Sequence, residues 1–324
     1  SSGSGAAIAA DLCYGALGTD TAGSIRHPAA YCGTVGLKPT FGLVPIRGIA
    51  PLTLCLDHCG PLTRTVEDTA LMLDVLAGYD KLDITSVRHE KEDYLAALRQ
   101  PVSKLRLGLP VGAFEHLHPE IERVCAAAVE RIAALAGGAR EVAMPPTADL
   151  TIATLGYAGE TAAWHEPHIR AVPAKYQLAD RRRLEAAEAD PGRAVDYIRA
   201  KWQLDLLRRT IDAAFTDFDL VVLPTMKLIQ PVLDDMLRRD HDPKPADPMT
   251  LSNCAPYNAY GIPAISIPCG FSSDGLPIGL MIAGPRFSEG RILALAQAYE
   301  QATQWHTRKP PLTPDTAVPP LATF

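Results

Sequence analysis

Three short runs toward the C-terminus limit the fold more than any other feature of this sequence. LVVLP at 220–224, PAISIP at 263–268 and LPIGLMIAG at 276–284 are almost wholly apolar. Runs of this length, bounded by Pro and Gly, read as strands buried on both faces. LRLGL at 105–109 reads as another. Such a sheet needs helices to cover it, and helical stretches lie between the runs. Thr65-Val66-Glu67-Asp68 precedes ALMLDVLAG, so Thr65 caps a helix that should end near Gly78. Pro119 opens EIERVCAAAVERIAAL, which Gly137-Gly138 stops. Residues 151–215 are mostly helical in pattern, and 289–304 form the last clear helix. The alternation predicts an α/β fold, a mixed central β-sheet covered by helices on both faces. With 324 residues, no internal repeat and no break in composition, the chain reads as one domain spanning 1–324.

Composition narrows the function classes. Hydrophobic residues make up 47% and charged residues 21%, which excludes a disordered chain. The balance of 31 Lys+Arg against 37 Asp+Glu gives a net charge of -6, which argues against nucleic acid as a partner. No apolar run approaches the ~20 residues that span a bilayer, so no membrane association is expected. The seven cysteines form no CxxC pair, and a reducing, cytoplasmic setting suits them. No metal-ligand spacing or cofactor fingerprint stands out, so neither a metal nor a cofactor is expected. His165-Glu166-Pro167-His168 has the wrong spacing for a metalloprotease motif, and Pro167 should disrupt the helix that motif needs.

Special residues are densest at Gly18-Thr19-Asp20-Thr21-Ala22-Gly23-Ser24-Ile25-Arg26-His27-Pro28. A Ser preceded by small residues can sit on a tight turn whose backbone N–H groups converge on a developing oxyanion. Asp20 and Arg26 would pair to brace that turn. The same residues also read as a plain Gly-rich loop packed under a sheet, and 18–36 as a whole reads as loop. Ser1, Ser2 and Ser4 lie in a second small-residue loop that would bring further hydroxyls beside Ser24, with a hydroxyl-and-Lys relay as the natural base. His58 follows Asp57, yet it reads as structural, and Lys38 is the nearest lysine after Ser24. Cys55 and Cys59 read as two packed thiols.

Long stretches then carry a resemblance. SSGSGAAIAADLCYGALGTDTAGSIRHP at 1–28 resembles the signature of the amidase signature family. The likeness continues through YCGTVGLKPTFGLVP at 31–45, LDHCGPLTRTVEDTALMLDVLAG at 56–78, LVVLPT at 220–225, PYNAYGIPAISIPCGFSSDGLPIGLMIAG at 256–284 and ILALAQAYEQATQWH at 292–306. The blocks fall in order along nearly the whole chain, with 85–215 weakly matched. The resemblance implies the amidase-signature fold and amide hydrolysis by a Ser–cis-Ser–Lys triad. Ser24 matches the acylated nucleophile. The backbone N–H groups of Thr21, Ala22, Gly23 and Ser24 match the oxyanion hole. Ala22 departs from the commoner Gly, a change small enough to leave the donor free.

The family's cis-Ser falls just before Ser1, so Ser1 matches the second Ser of the serine loop. A compensating indel in the loop would instead make Ser1 or Ser2 the cis-Ser. The family's Lys falls further upstream. The chain thus reads as a sequence that begins partway through a protein and, by itself, lacks two catalytic groups. The substrate implied is a small amide, with a possible homodimer as the assembly. An alternative is the ammonia-releasing A-like component of a glutamine-dependent tRNA amidotransferase. Residues 193–224 lack the Gly- and Tyr-rich lead-in expected of that enzyme, which favours a stand-alone amidase. The acyl pocket should draw on 150–175 and 225–260, where Met226, Leu228 and Ile229 read equally as a partly hydrophobic lining and as simple core packing.

Overall fold

The computed structural model describes residues 1–147, 150, 153–190, 192–232, 252–313 and 315–316. Its strands are β1 (Gly15–Asp20), β2 (Val35–Lys38), β3 (His58–Thr63), β4 (Leu107–Pro110), β5 (Ala139–Val142), β6 (Leu220–Pro224), β7 (Ala264–Phe271) and β8 (Pro277–Ala283). They form one sheet in the order β1-β3-β2-β7-β8-β6-β4-β5. β4 runs parallel to β5 and β6, and the other neighbours are antiparallel. The sheet is therefore mixed, as the alternation of apolar runs and helices predicts.

Strand periodicity divides the core between the two faces. Val222, Ile265, Ile267, Leu280 and Ile282 pack with α3 (Val66–Leu76), α5 (Pro119–Leu135) and α10 (Glu289–Thr303). Their neighbours Val221, Leu223, Ala264, Met281 and Ala283 turn to the other face, against Phe215, Tyr257 and Tyr260. The last two belong to α9 (Ala255–Tyr260). Each fully buried aliphatic side chain here contributes about 1.5–3 kcal/mol. The Thr65 cap forms as the sequence predicts, accepting the Asp68 N–H at 3.1 Å. A short α4 (Tyr94–Ala97) buries Tyr94 in the first face.

Several expectations are overturned. Residues 18–36 are not a loop: β1 ends at Asp20, α2 (Arg26–Cys32) follows, and β2 begins at Val35. Pro28 is the third residue of α2, where a missing N–H costs nothing, and Gly33 at φ 67° ends the helix. Pro and Gly here punctuate a helix instead of marking irregular chain. The serines expected in a loop, Ser2 and Ser4, are helical too, in the first turns of α1 (Ser2–Ala9). Packing overrides poor propensity: α1 lies so close to α2 that a Cβ on Gly5 would sit 2.9 Å from Pro28 Cβ.

In the helical region, a π-helix at Ala153–Glu160 leads into α6 (Thr161–Ala171), and α7 (Leu178–Ala189) and α8 (Ala194–Thr210) follow. α6 runs straight through Pro167, contrary to expectation. Side-chain anchors hold it: Thr161 Oγ1 bonds Leu52 O, and His165 reaches Tyr176 Oη at 3.0 Å and Pro51 O at 3.2 Å. Cys55 and Cys59 are both buried free thiols, each packed in an apolar cluster, as the sequence suggests.

Candidate active site

β1 pairs with β3 and delivers Asp20 opposite His58. There the chain leaves the sheet, turns through residues 21–25 and enters α2. Asp20 is wholly buried and organises that turn. Oδ1 accepts the Gly23 N–H at 2.7 Å, Arg26 Nη2 at 3.0 Å and Asn258 Nδ2 at 2.9 Å. Oδ2 accepts Arg26 Nε at 3.0 Å and the Ile25 N–H at 3.2 Å. Burial pushes this carboxyl up, but the Arg26 guanidinium and its hydrogen bonds outweigh burial and hold it well below the usual carboxylate range. Arg26 is equally buried, and its spare donors reach Cys254 O at 3.0 Å and Asn258 Oδ1 at 2.7 Å.

Ser24 sits half-buried on this turn. Among the described residues, its Oγ makes no hydrogen bond, nor do the N–H groups of Ala22 and Ser24. Gly23 has φ 134°, and a Cβ there would meet His27 Nε2 at 2.1 Å. Only glycine suits that position. His27 Nε2 also lies 2.8 Å from Ser252 Oγ. Thr21 is buried, and its Oγ1 donates to Asp57 Oδ1 at 2.5 Å.

The serine segment lies alongside β1. Ser1 Oγ accepts the Thr19 N–H at 2.9 Å and donates to Thr19 O at 3.1 Å, while Ser4 Oγ donates to Leu17 O at 2.8 Å. These hydroxyls are thus spent on the β1 backbone, and no hydrogen bond joins either to Ser24 among the described residues. His58 and Asp57 do not pair. His58 Nδ1 faces Leu56 O at 2.7 Å, and burial, with Lys38 nearby, holds its imidazole well below the ordinary value. Lys38 is itself buried, donating to Ile262 O at 2.6 Å and Pro39 O at 3.0 Å. Burial and the neighbouring Arg26 keep it well below the usual lysine range. Met226, Leu228 and Ile229 lie with Tyr31, Ile121 and Ile278 around a gap of about 10 Å³. Of the region expected to supply the acyl pocket, 151–152 and 233–251 lie outside the described residues.

The sequence of the whole chain accounts for this arrangement. A sequence model of the Amidase family matches residues 1–293. The chain belongs to the amidase signature family. The amidase relatives include the A-type component of the glutamyl-tRNA(Gln) amidotransferase of Syntrophobacter fumaroxidans, 38% identical over 96% of this chain and 68% of its own length. Its counterpart in Halothermothrix orenii is 35% identical over 96% of this chain and 69% of its own. Among solved structures, 6-aminohexanoate cyclic dimer hydrolase aligns with a TM-score of 0.83 at 26% identity, over 96% of this chain and 68% of that one. A peptide amidase bound to chymostatin aligns with a TM-score of 0.76 at 31% identity, over 93% of this chain and 65% of that one. The chain thus spans about two thirds of the length of the amidase-family proteins it matches.

Sequence reasoning missed Asp57, Asn258 and the His27–Ser252 pair. Asn258 and Ser252 lie more than two hundred positions from their partners, and no local spacing marks them. Asp57 was visible only as the neighbour of His58.

Proposed function

We propose that this protein, at the full length of its relatives, hydrolyses a small non-peptide carboxylic amide through an acyl-enzyme on Ser24. The observation that carries this reading is the turn at 21–25, where an unengaged hydroxyl and unengaged N–H groups, those of Ala22 and Ser24 among them, share one backbone turn. In the proposed reaction Ser24 Oγ attacks the amide carbon and loses its proton to a Lys acting through a cis-Ser, the base system that the family resemblance implies. The carbonyl oxygen becomes an oxyanion within the turn formed by Thr21, Ala22, Gly23 and Ser24. The Gly23 N–H is already given to Asp20, so the donors left for the oxyanion include those of Ala22 and Ser24. Losing one such donor costs about 10²–10³ in rate in comparable hydrolases. Collapse of the tetrahedral intermediate breaks the C–N bond, and the leaving ammonia or amine takes up a proton. Water then hydrolyses the ester, returning Ser24 and releasing the acid.

Asp20 and Arg26 act as support, locking the turn from within. Ser1, bonded to both backbone groups of Thr19, is read as bracing the strand that carries the nucleophile. The proposal is tested by steady-state hydrolysis of a panel of alkyl and aryl carboxamides by the full-length protein and by its Ser24→Ala variant. Turnover of at least one amide that the variant lacks is expected, and equal turnover by both would remove the assignment.

A second reading rests on the relatives named as amidotransferase components, at 35–38% identity. On that reading glutamine is the amide and ammonia passes to a partner protein. Release of ammonia from glutamine at a rate exceeding every simple carboxamide would favour it.

A further inference from the structure

The turn that carries Ser24 is gripped from two sides. Asp20 holds it from within, through the Gly23 and Ile25 N–H groups. Its first residue, Thr21, is held from outside by a carboxylate that sequence reasoning gave no role. We propose that Asp57 is a positioning residue for the oxyanion-binding turn, acting through the Thr21 hydroxyl; this rests on the amidase reading above.

The geometry is that of a built joint. Thr21 Oγ1 donates to Asp57 Oδ1 at 2.5 Å, both residues being buried. A hydroxyl–carboxylate bond of this length is among the stronger hydrogen bonds. The carboxylate is fixed in turn by the Leu52 N–H at 2.8 Å and the Thr53 N–H at 3.1 Å. Thr53 O accepts the N–H groups of Leu56 at 2.7 Å and Asp57 at 2.8 Å, so residues 52–57 close on themselves. That loop is anchored to the helical region. The Cys55 N–H donates to Glu160 Oε2 at 2.8 Å, and Glu160 Oε1 accepts the Tyr197 hydroxyl at 2.6 Å. Thr161 Oγ1 donates to Leu52 O, and Arg208 Nη2 donates to Cys55 O at 2.8 Å.

The consequence falls on one peptide group. The plane between Thr21 and Ala22 carries the Ala22 N–H, one of the unengaged donors of the turn. Tethering the Thr21 side chain fixes the position of its Cα and so limits rotation of that plane. A donor displaced by about 1 Å, or tilted out of line, costs about 10²-fold in a preorganised site. The loss belongs to the transition state, where the oxyanion exists, and not to substrate binding.

The test uses the full-length protein, an amide it turns over, and three variants. Thr21→Val keeps the shape and removes the hydroxyl. It is expected to lower kcat about 10–100-fold while KM stays within about threefold. Thr21→Ser keeps the hydroxyl and should restore kcat to within about threefold of wild type. Asp57→Asn leaves one acceptor for Thr21 but opposes an NH₂ group to the Leu52 and Thr53 donors. It should cost about tenfold in kcat even if the valine variant does not fold. Added to Thr21→Val it should cost little more, since both act through one bond. An unchanged kcat in Thr21→Val or in Asp57→Asn overturns the proposal, as does a loss confined to KM or a serine variant as slow as the valine one. Labelling of wild-type Ser24 by a fluorophosphonate separates the two levels of failure. If the wild type neither labels nor turns over amides, the amidase reading falls and this inference with it. If it does both and the variants match it, only the inference falls.

Discussion

Asp20 and Arg26 are both wholly buried, and neither charge is tolerable there alone. Taking Arg26 away strands a carboxylate whose remaining donors are amides. Arg26→Met should therefore lower unfolding free energy by about 3–5 kcal/mol, measured by urea titration. A loss below about 1 kcal/mol would mean that the pair does not hold the turn. Two neighbouring positions predict opposite outcomes. Gly23→Ala asks for a Cβ at φ 134° where His27 Nε2 lies 2.1 Å away, so it should lose at least 10²-fold in amide turnover. Ala22→Gly places a smaller residue beside the donor and should stay within about threefold of wild type. At this scale the sequence was readable only where partners are close in the chain. Asp20 and Arg26 are six positions apart and announced their pairing. Asn258, which bonds both of them, is drawn in by α9 from the far end of the fold, and nothing near residue 258 signals it.

At the scale of elements, the legible ones had local chemistry to declare them. α3 and α5 carried caps and a regular apolar period, and β6 to β8 were apolar runs too short for helices. β3 and α2 were missed because Gly, Pro and polar residues fill them, and their stability comes from pairing and burial instead of composition. One junction between legible helices carries a pH dependence. Glu300 on α10 accepts the Val66 N–H at the start of α3 at 3.0 Å. Burial, with Asp68 and Glu67 facing it, pushes its carboxyl up to about 7; His306 Nδ1 stands 4.0 Å away. The folded form thus binds the Glu300 proton more tightly than the unfolded chain does. This contribution is whole below the ordinary glutamate value and is lost as pH rises through about 7. Glu300→Gln keeps an acceptor for Val66 and has no proton to lose. Relative to that variant, the wild type should lose up to about 3 kcal/mol between pH 4.5 and pH 8, read from thermal melts. Parallel pH profiles for the two proteins would contradict the assignment.

For the whole molecule, fold class followed from the apolar runs, and the order of signature blocks along the chain matched the family. Strand order was not legible, because β1 lies beside β3 and β2 beside β7 through contacts that no local pattern encodes. No helix among the described residues is long and apolar enough to cross a membrane. None of the described His, Cys, Asp or Glu residues form a group of three or more able to hold a metal. Since the proposed chemistry runs on a serine and backbone donors, amide turnover by the full-length protein should survive exhaustive chelation. A large loss, reversed by adding back a divalent ion, would count against a serine mechanism. The most direct test of the central claim is to quench the full-length protein during turnover of a slow amide or ester and map the acyl group by peptide mass spectrometry. The account predicts a single acyl adduct, on Ser24, absent from Ser24→Ala. An adduct on any other residue, or turnover with no adduct in wild type and undiminished rate in Ser24→Ala, would contradict it.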